Sequence, residues 1–177
     1  QIPTSSLRGL RLLTRQRSEL KGDVARFKNR MTAYLDQIFP GYGEVFSDVG
    51  GSASRAVLHM CPTPEKLLNA DGSLLAKVIC EAGNKGPKFG AEKAAKLREA
   101  AGSAQVIGVR SASNASLIKN VLDIIEGLLA AIQRIEREIK ELVTQDTRLD
   151  EDVKLLCSIP GIGFSSAVVI VAEMGDI

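Results

Sequence analysis

The stretch SLIKNVLDIIEGLLAAIQRIEREIKELV, residues 116–143, places Ile118, Val121, Ile125, Leu128, Ile132, Ile135, Ile139 and Leu142 alternately three and four residues apart. That spacing is the a/d seam of a heptad repeat and predicts a long amphipathic helix. The alternation continues through Asp146, Leu149, Val153 and Leu156, so one helix is expected over 113–158, with a single polar break at Asp146. Upstream, Leu10, Leu13, Arg17, Leu20, Val24, Phe27, Met31, Tyr34 and Ile38 repeat the pattern, with Arg17 as the one polar seam position. No proline interrupts Thr4 to Phe39, and Ser5 or Ser6 can cap its start. At 1.5 Å per residue this first helix is roughly 50 Å long, and a helix of that length with one apolar stripe needs a partner.

The two long helices carry opposite charge. On the first, Arg8, Arg11, Arg15, Arg17, Lys21, Arg26, Lys28 and Arg30 face only Glu19, Asp23 and Asp36. On the second, Asp123, Glu126, Glu136, Glu138, Glu141, Asp146, Asp150, Glu151 and Asp152 outnumber six basic residues. Basic flanks on one helix and acidic flanks on the other favour pairing with each other over self-pairing. The expected product is an antiparallel coiled-coil arm, formed within one chain or by exchange between chains. In the heptad labelling Arg8, Arg11, Arg15 and Arg26 point outward, where they can meet phosphates or simply form a solvated face.

Between the arms, turn signals at Pro40-Gly41, Gly50-Gly51, Pro62-Thr63-Pro64, Asp71-Gly72 and Gly86-Pro87 cut the chain into short amphipathic pieces. They run approximately Ser52 to Met60, Pro64 to Asn69, Ser73 to Ala82 and Ala91 to Ala101, and read as a cluster of short helices at the tip of the arm. Lys85, Lys88, Lys93, Lys96 and Arg98 make its last part basic. The run Asn84 to Gly90 lacks the spacing of a Walker phosphate loop.

After the second arm, Leu155-Leu156-Cys157-Ser158 leads into Ile159-Pro160-Gly161-Ile162-Gly163, and Ser165 and Ser166 open another apolar helix. This is a helix-hairpin-helix pattern. Its glycines keep side chains away, so backbone N–H groups at the start of the second helix can approach an anion such as a nucleic-acid phosphate. Gly161, Ile162, Gly163, Ser165 and Ser166 are the candidate DNA contacts, with Arg8, Arg11, Arg15 and Arg26 as a second set. A Pro-Gly turn joining two core helices is the competing reading.

Composition agrees with a helical protein: 45% hydrophobic residues, only 4% aromatic, no tryptophan, and a net charge of +2 over 177 residues. Cys61, Cys80 and Cys157 are widely spaced, and His59 is the one histidine, so neither a zinc site nor a disulfide framework is expected. The cysteines read as free thiols of a reducing cytoplasm. No signal peptide and no long uncharged apolar run is present, so no membrane partner is expected. The chain starts at Gln1 and stops at Ile177 as the second hairpin helix completes, which suits part of a longer protein.

Several of these features occur together in one family. The basic helix ends in Arg26-Phe27-Lys28-Asn29-Arg30, followed by Phe39-Pro40-Gly41, the Pro62-Thr63-Pro64 turn and Ala91 to Ala101. Then come Leu155 to Gly163 and the closing Ala172-Glu173-Met174-Gly175-Asp176-Ile177. In this order the chain resembles the middle, and the beginning of the C-terminal domain, of bacterial insertion-sequence transposases of family 110. This is the DEDD type, which includes a pilin-gene-inverting recombinase.

The resemblance implies a parent enzyme with an N-terminal RuvC-like domain binding a divalent metal, Mg, and a serine nucleophile farther along the C-terminal domain. It also implies partners: DNA, in some members a guide RNA made from the element, and further copies of the chain in a dimer or tetramer. Ser158, Ser165 and Ser166 precede the segment that carries the family's serine, so no catalytic residue, metal ligand or cofactor site is expected here.

The expectation is therefore an all-α chain in four parts: a first coiled-coil helix (1–39), a helical tip (40–112), a second coiled-coil helix (113–157) and the helix-hairpin-helix start of a transposase domain (158–177). Its role would be DNA binding and assembly in a transposase or recombinase. The rival functions are a non-enzymatic helix-hairpin-helix DNA-binding protein and a structural coiled-coil oligomerisation module.

Overall fold

In the computed structural model, which describes residues 5–175, every regular element is a helix. They are α1 (Ser5–Ile38), α2 (Tyr42–Val45), α3 (Ser52–Met60), α4 (Pro64–Asn69), α5 (Gly72–Gly83), α6 (Pro87–Ile107), α7 (Asn114–Gln145), α8 (Thr147–Cys157) and α9 (Phe164–Met174). The all-α expectation holds. Thr4, at the start of the expected first helix, and Asp176 and Ile177, at the end of the closing motif, lie outside the described residues.

The chain divides into two compact units, one made of residues 1–24 with 127–177, the other of residues 25–126. Both boundaries fall inside the long helices α1 and α7.

In the first unit the early turns of α1 are buried by the late part of the chain. Leu7 and Leu10 share one apolar cluster with Ile135, Ile139 and Val143 of α7, Leu149 and Val153 of α8, and Ala167, Val168, Val171 and Ala172 of α9. Contacts advance along α1 as they retreat along α7. A Cβ on Gly9 would lie 3.7 Å from Leu142, while Arg17 and Lys21 approach Glu136 at 3.8 and 3.9 Å. The basic flank of α1 and the acidic flank of α7 thus meet at Glu136, within one chain.

The periodicity predicts one helix over 113–158, and here the structure differs. α7 stops at Gln145, and Asp146 takes an extended conformation (φ −110°, ψ 103°) as the N-cap of α8, accepting the Leu149 N–H at 3.3 Å. A short carboxylate satisfies an otherwise orphaned amide better at a helix start than it sits in an apolar seam. The polar break in the heptad is a helix boundary.

In the second unit the expected short helices form. α3 and α4 have the predicted limits, whereas α6 extends well beyond Ala91 to Ala101, and α2 has no counterpart in the sequence reading. Thr63 and Asp71 cap α4 and α5, with Pro64 in the first turn of α4. α6 packs on α2, α4 and α5. Its approach to α5 is close because Gly90 has no side chain; a Cβ there would overlap the Ala76 carbonyl oxygen. Phe39, Tyr42 and Phe46 stack edge to face and tilted, at 5.1 and 5.7 Å between ring centres. Burial pushes the Tyr42 phenol well above its ordinary pKa, and its hydroxyl donates to the Ser54 carbonyl at 3.0 Å.

Two substitutions test this account. Asp146→Ala is expected to lower stability by about 1 kcal/mol in urea unfolding, with Asp146→Asn close to the parent. Asp146→Leu, which would extend a continuous heptad, should destabilise rather than stabilise. Gly90→Ala is expected to cost about 1–3 kcal/mol, because its methyl group meets backbone that cannot rotate away.

Candidate nucleic-acid interface

The hairpin between α8 and α9 is assembled from local rules. The Ser158 N–H closes α8 on the Lys154 carbonyl at 3.1 Å. A turn then runs from Ile159 to Ile162, closed by Ile162 N–H to the Ile159 carbonyl at 3.1 Å. Pro160 occupies its second position and Gly161, at φ +93°, its third, the order a type II turn requires. Gly163 is extended (φ −88°, ψ 166°), and its carbonyl accepts the Ser166 and Ala167 N–H groups at 2.9 and 3.0 Å.

The start of α9 is open. No side chain caps it, and the first amides of a helix have no acceptor within the helix. Gly161 and Gly163 are exposed, and a Cβ on either would meet nothing within 4 Å. Ser165 and Ser166 are exposed beside them, whereas Ile162 is half-buried and packs against the core of the first unit. Of the five hairpin candidates, four therefore face outward and one is an anchor.

A cleft of about 260 Å³ adjoins this helix start, lined by Arg17, Glu136, Ile139, Lys140, Phe164 and Ser165. The Arg17 side chain is only 11% exposed, and its Nη1 donates to Ser165 Oγ at 3.3 Å. Neither Arg17 nor Lys140 is a candidate in the sequence analysis. The available signal was the charge at a seam position, since an arginine among leucines is held there by something other than apolar packing. Nothing local marks Lys140. These two side chains matter electrostatically because residues 155–177 contain no lysine or arginine.

The second candidate set disperses. Arg11 donates to the Ala172 carbonyl at 2.6 Å and to the Glu173 carbonyl at 3.3 Å, satisfying the C-terminal end of α9. Arg15 forms a two-pronged pair with the Glu173 carboxylate at 2.9 and 2.8 Å. That end of α9 lies about 15 Å along the helix from the hairpin glycines. Arg8 is exposed, and Arg26 belongs to the other unit, where it has an interaction of its own. Arg11 and Arg15 thus hold α9 in place, and the arrangement does not bring them to the glycines.

The basic run of the second unit is likewise partly spent on carbonyls. Arg98 donates to Leu68 and Ala70 at the end of α4, and Lys93 donates to Val45 at the end of α2. Among the described residues no group of three or more His, Cys, Asp or Glu side chains is placed to hold a metal ion. Among them, no helix is long and apolar enough to cross a membrane.

No protein-family model and no solved structure matches the chain. It is similar to an uncharacterized 44.8 kDa protein of insertion element IS116 from Streptomyces clavuligerus, with 30% identity over 180 residues. The similarity covers 99% of this chain, which spans 42% of that relative's length.

The Arg15–Glu173 contact predicts a pH dependence. The hydrogen bond from Arg15 holds the Glu173 carboxyl below its ordinary value, against a smaller opposing effect of burial. A lowered folded-state pKa adds stability above the unfolded value, and this is lost as pH falls through the folded one. Glu173→Gln should therefore be less stable than the parent near neutral pH, with the difference vanishing in acid. A thermal-unfolding difference independent of pH would refute the assignment.

Proposed function

We propose that this chain is the DNA-binding and assembly portion of a transposase or recombinase that moves an insertion sequence. The observation that carries the reading is the similarity to an insertion-element protein along 99% of the chain. The open glycine hairpin supports it: exposed backbone amides at the start of an uncapped helix, beside a cleft where Arg17 and Lys140 outnumber the one carboxylate, Glu136, suit the phosphate of a nucleic-acid backbone.

In finer detail the proposed parent is of family 110 and the DEDD type. Its metal-binding carboxylates and nucleophilic serine would be supplied from outside these residues. Phosphate would meet the amides that follow Gly163, with Ser165, Ser166, Arg17 and Lys140 around it. Such contacts hold a duplex or a folded RNA in register without reading its sequence. The long helices would serve assembly, as a coiled-coil arm joining copies of the protein in the proposed oligomer.

Binding of labelled duplex DNA and structured RNA across a salt series tests the proposal. Affinity should fall with salt at a slope of about −0.9 per phosphate contacted on DNA. Gly163→Val is the cleaner probe, since position 163 has ordinary extended backbone while Gly161→Val also strains the turn at φ +93°. Both variants should lose binding, and Gly163→Val should do so while remaining folded. Arg17→Leu removes one partner of the Glu136 pair and should lower stability modestly, since Lys21 still lies 3.9 Å from that carboxylate, while binding weakens about tenfold through loss of a charged hydrogen bond. If Gly163→Val and Arg17→Leu bind like the parent, or no nucleic acid binds at all, the hairpin is only a connector between core helices. The module is then a structural scaffold.

A further inference from the structure

Glu136 is the one carboxylate lining the cleft beside the start of α9, where Arg17 and Lys140 supply the positive charge. Its place follows from helical spacing. Glu136 and Lys140 are four residues apart on α7, and Arg17 and Lys21 are four apart on α1, so each pair shares a helix face. Where the two helices pass, Arg17 Nε lies 3.8 Å and Lys21 Nζ 3.9 Å from the same Glu136 Oε1 atom.

The two cations are not equivalent. The Arg17 side chain is 11% exposed and also donates to Ser165 Oγ from Nη1, so its guanidinium spans the carboxylate and the helix start. The Lys21 side chain is 52% exposed and lies outside the lining of the cleft. An ammonium on a flexible stem can follow a carboxylate through water, whereas a guanidinium presents its donors in a rigid fork. A phosphate entering beside Ser165 therefore meets a guanidinium that already faces one anion. Two anions sharing one cation compete for it, and they repel each other more strongly in a partly buried cleft than in water.

Resting on the phosphate-binding reading of the hairpin, we infer that Glu136 is a built-in competitor that sets the affinity of that site. Without nucleic acid it holds Arg17. When phosphate binds, Arg17 turns to the phosphate and Glu136 keeps Lys21 as its partner. The grip on the backbone is thereby held below what Arg17 and Lys140 alone would give.

The test is binding of labelled duplex DNA by the full chain at one fixed salt concentration, with thermal unfolding to show that each variant is folded. Glu136→Gln should tighten binding about fivefold, the upper range for a partly exposed charge pair. In an Arg17→Leu background the same change should gain less than about twofold, because the cation it frees is gone. Lys21→Met keeps the apolar stem and removes the charge. It should weaken binding about threefold in the parent and leave Glu136→Gln unaffected, whereas a lysine that met phosphate itself would weaken both. Glu138→Gln is the control for net charge: this exposed α7 carboxylate lies outside the cleft, and its loss should change binding less than about twofold.

Several results would overturn the competitor while leaving the phosphate grip intact. They are no tightening by Glu136→Gln, equal tightening by Glu138→Gln, a gain that persists without Arg17, or a Lys21→Met loss that persists without Glu136. Binding by neither the parent nor Glu136→Gln would remove the grip itself, and the competitor with it.

Discussion

The first unit depends on the burial of one short stretch of α1. Leu7 and Leu10 are 5% and 0% exposed because α7, α8 and α9 close over them. Each such side chain contributes roughly 1.5–3 kcal/mol when taken out of water, and here the contribution is collected only if the beginning and the end of the chain come together. α9 supplies Ala167, Val168, Val171 and Ala172 to that core, all 0% exposed. Two alanines on its buried face let the helix lie close. With α9 fixed by its later residues, its first turn and the glycine hairpin remain outside the core.

Helix ends shape the chemistry of both units. Among the described residues, nine short and long helices leave many carbonyls without an intrahelical partner, and several of these are satisfied by long basic side chains. Arg11 serves α9, Arg98 serves α4, Lys93 serves α2 and Arg110 reaches the Gln105 carbonyl near the end of α6. The heads of these residues sit where the helix dipole is negative. A basic sequence run is therefore a poor guide to a nucleic-acid surface here. At α9 the same physics works in both directions: its C-terminal end is closed by arginine, and its N-terminal end is left open to an anion.

The two polar residues in the heptads show how the same pattern can mean different things. Asp146 ends a helix, because its carboxylate can accept an amide within its own segment. Arg17 leaves α1 unbroken, because its long side chain can leave the seam and reach Ser165 and Glu136 on other helices. Asp146 carried a legible signal, since a seam aspartate followed by Thr147-Arg148-Leu149 is a possible cap. The partner of Arg17 was not legible, since 148 residues separate it from Ser165.

What the sequence determined by itself was local in origin. The three-and-four alternation, Thr63 before Pro64, Asp71 before Gly72 and the Ile159 to Gly163 turn act between residues at most four apart. From them follow the all-α class, the limits of α3 and α4, and a glycine turn feeding a final helix. Tertiary structure alone decided which arginines bind carbonyls and which remain outside, that Ile162 anchors while its neighbours face solvent, and that Arg17 and Lys140 line a cleft beside Ser165. Those outcomes depend on which distant backbone atoms packing brings within about 3 Å of a side chain, and helical periodicity carries no information about that distance.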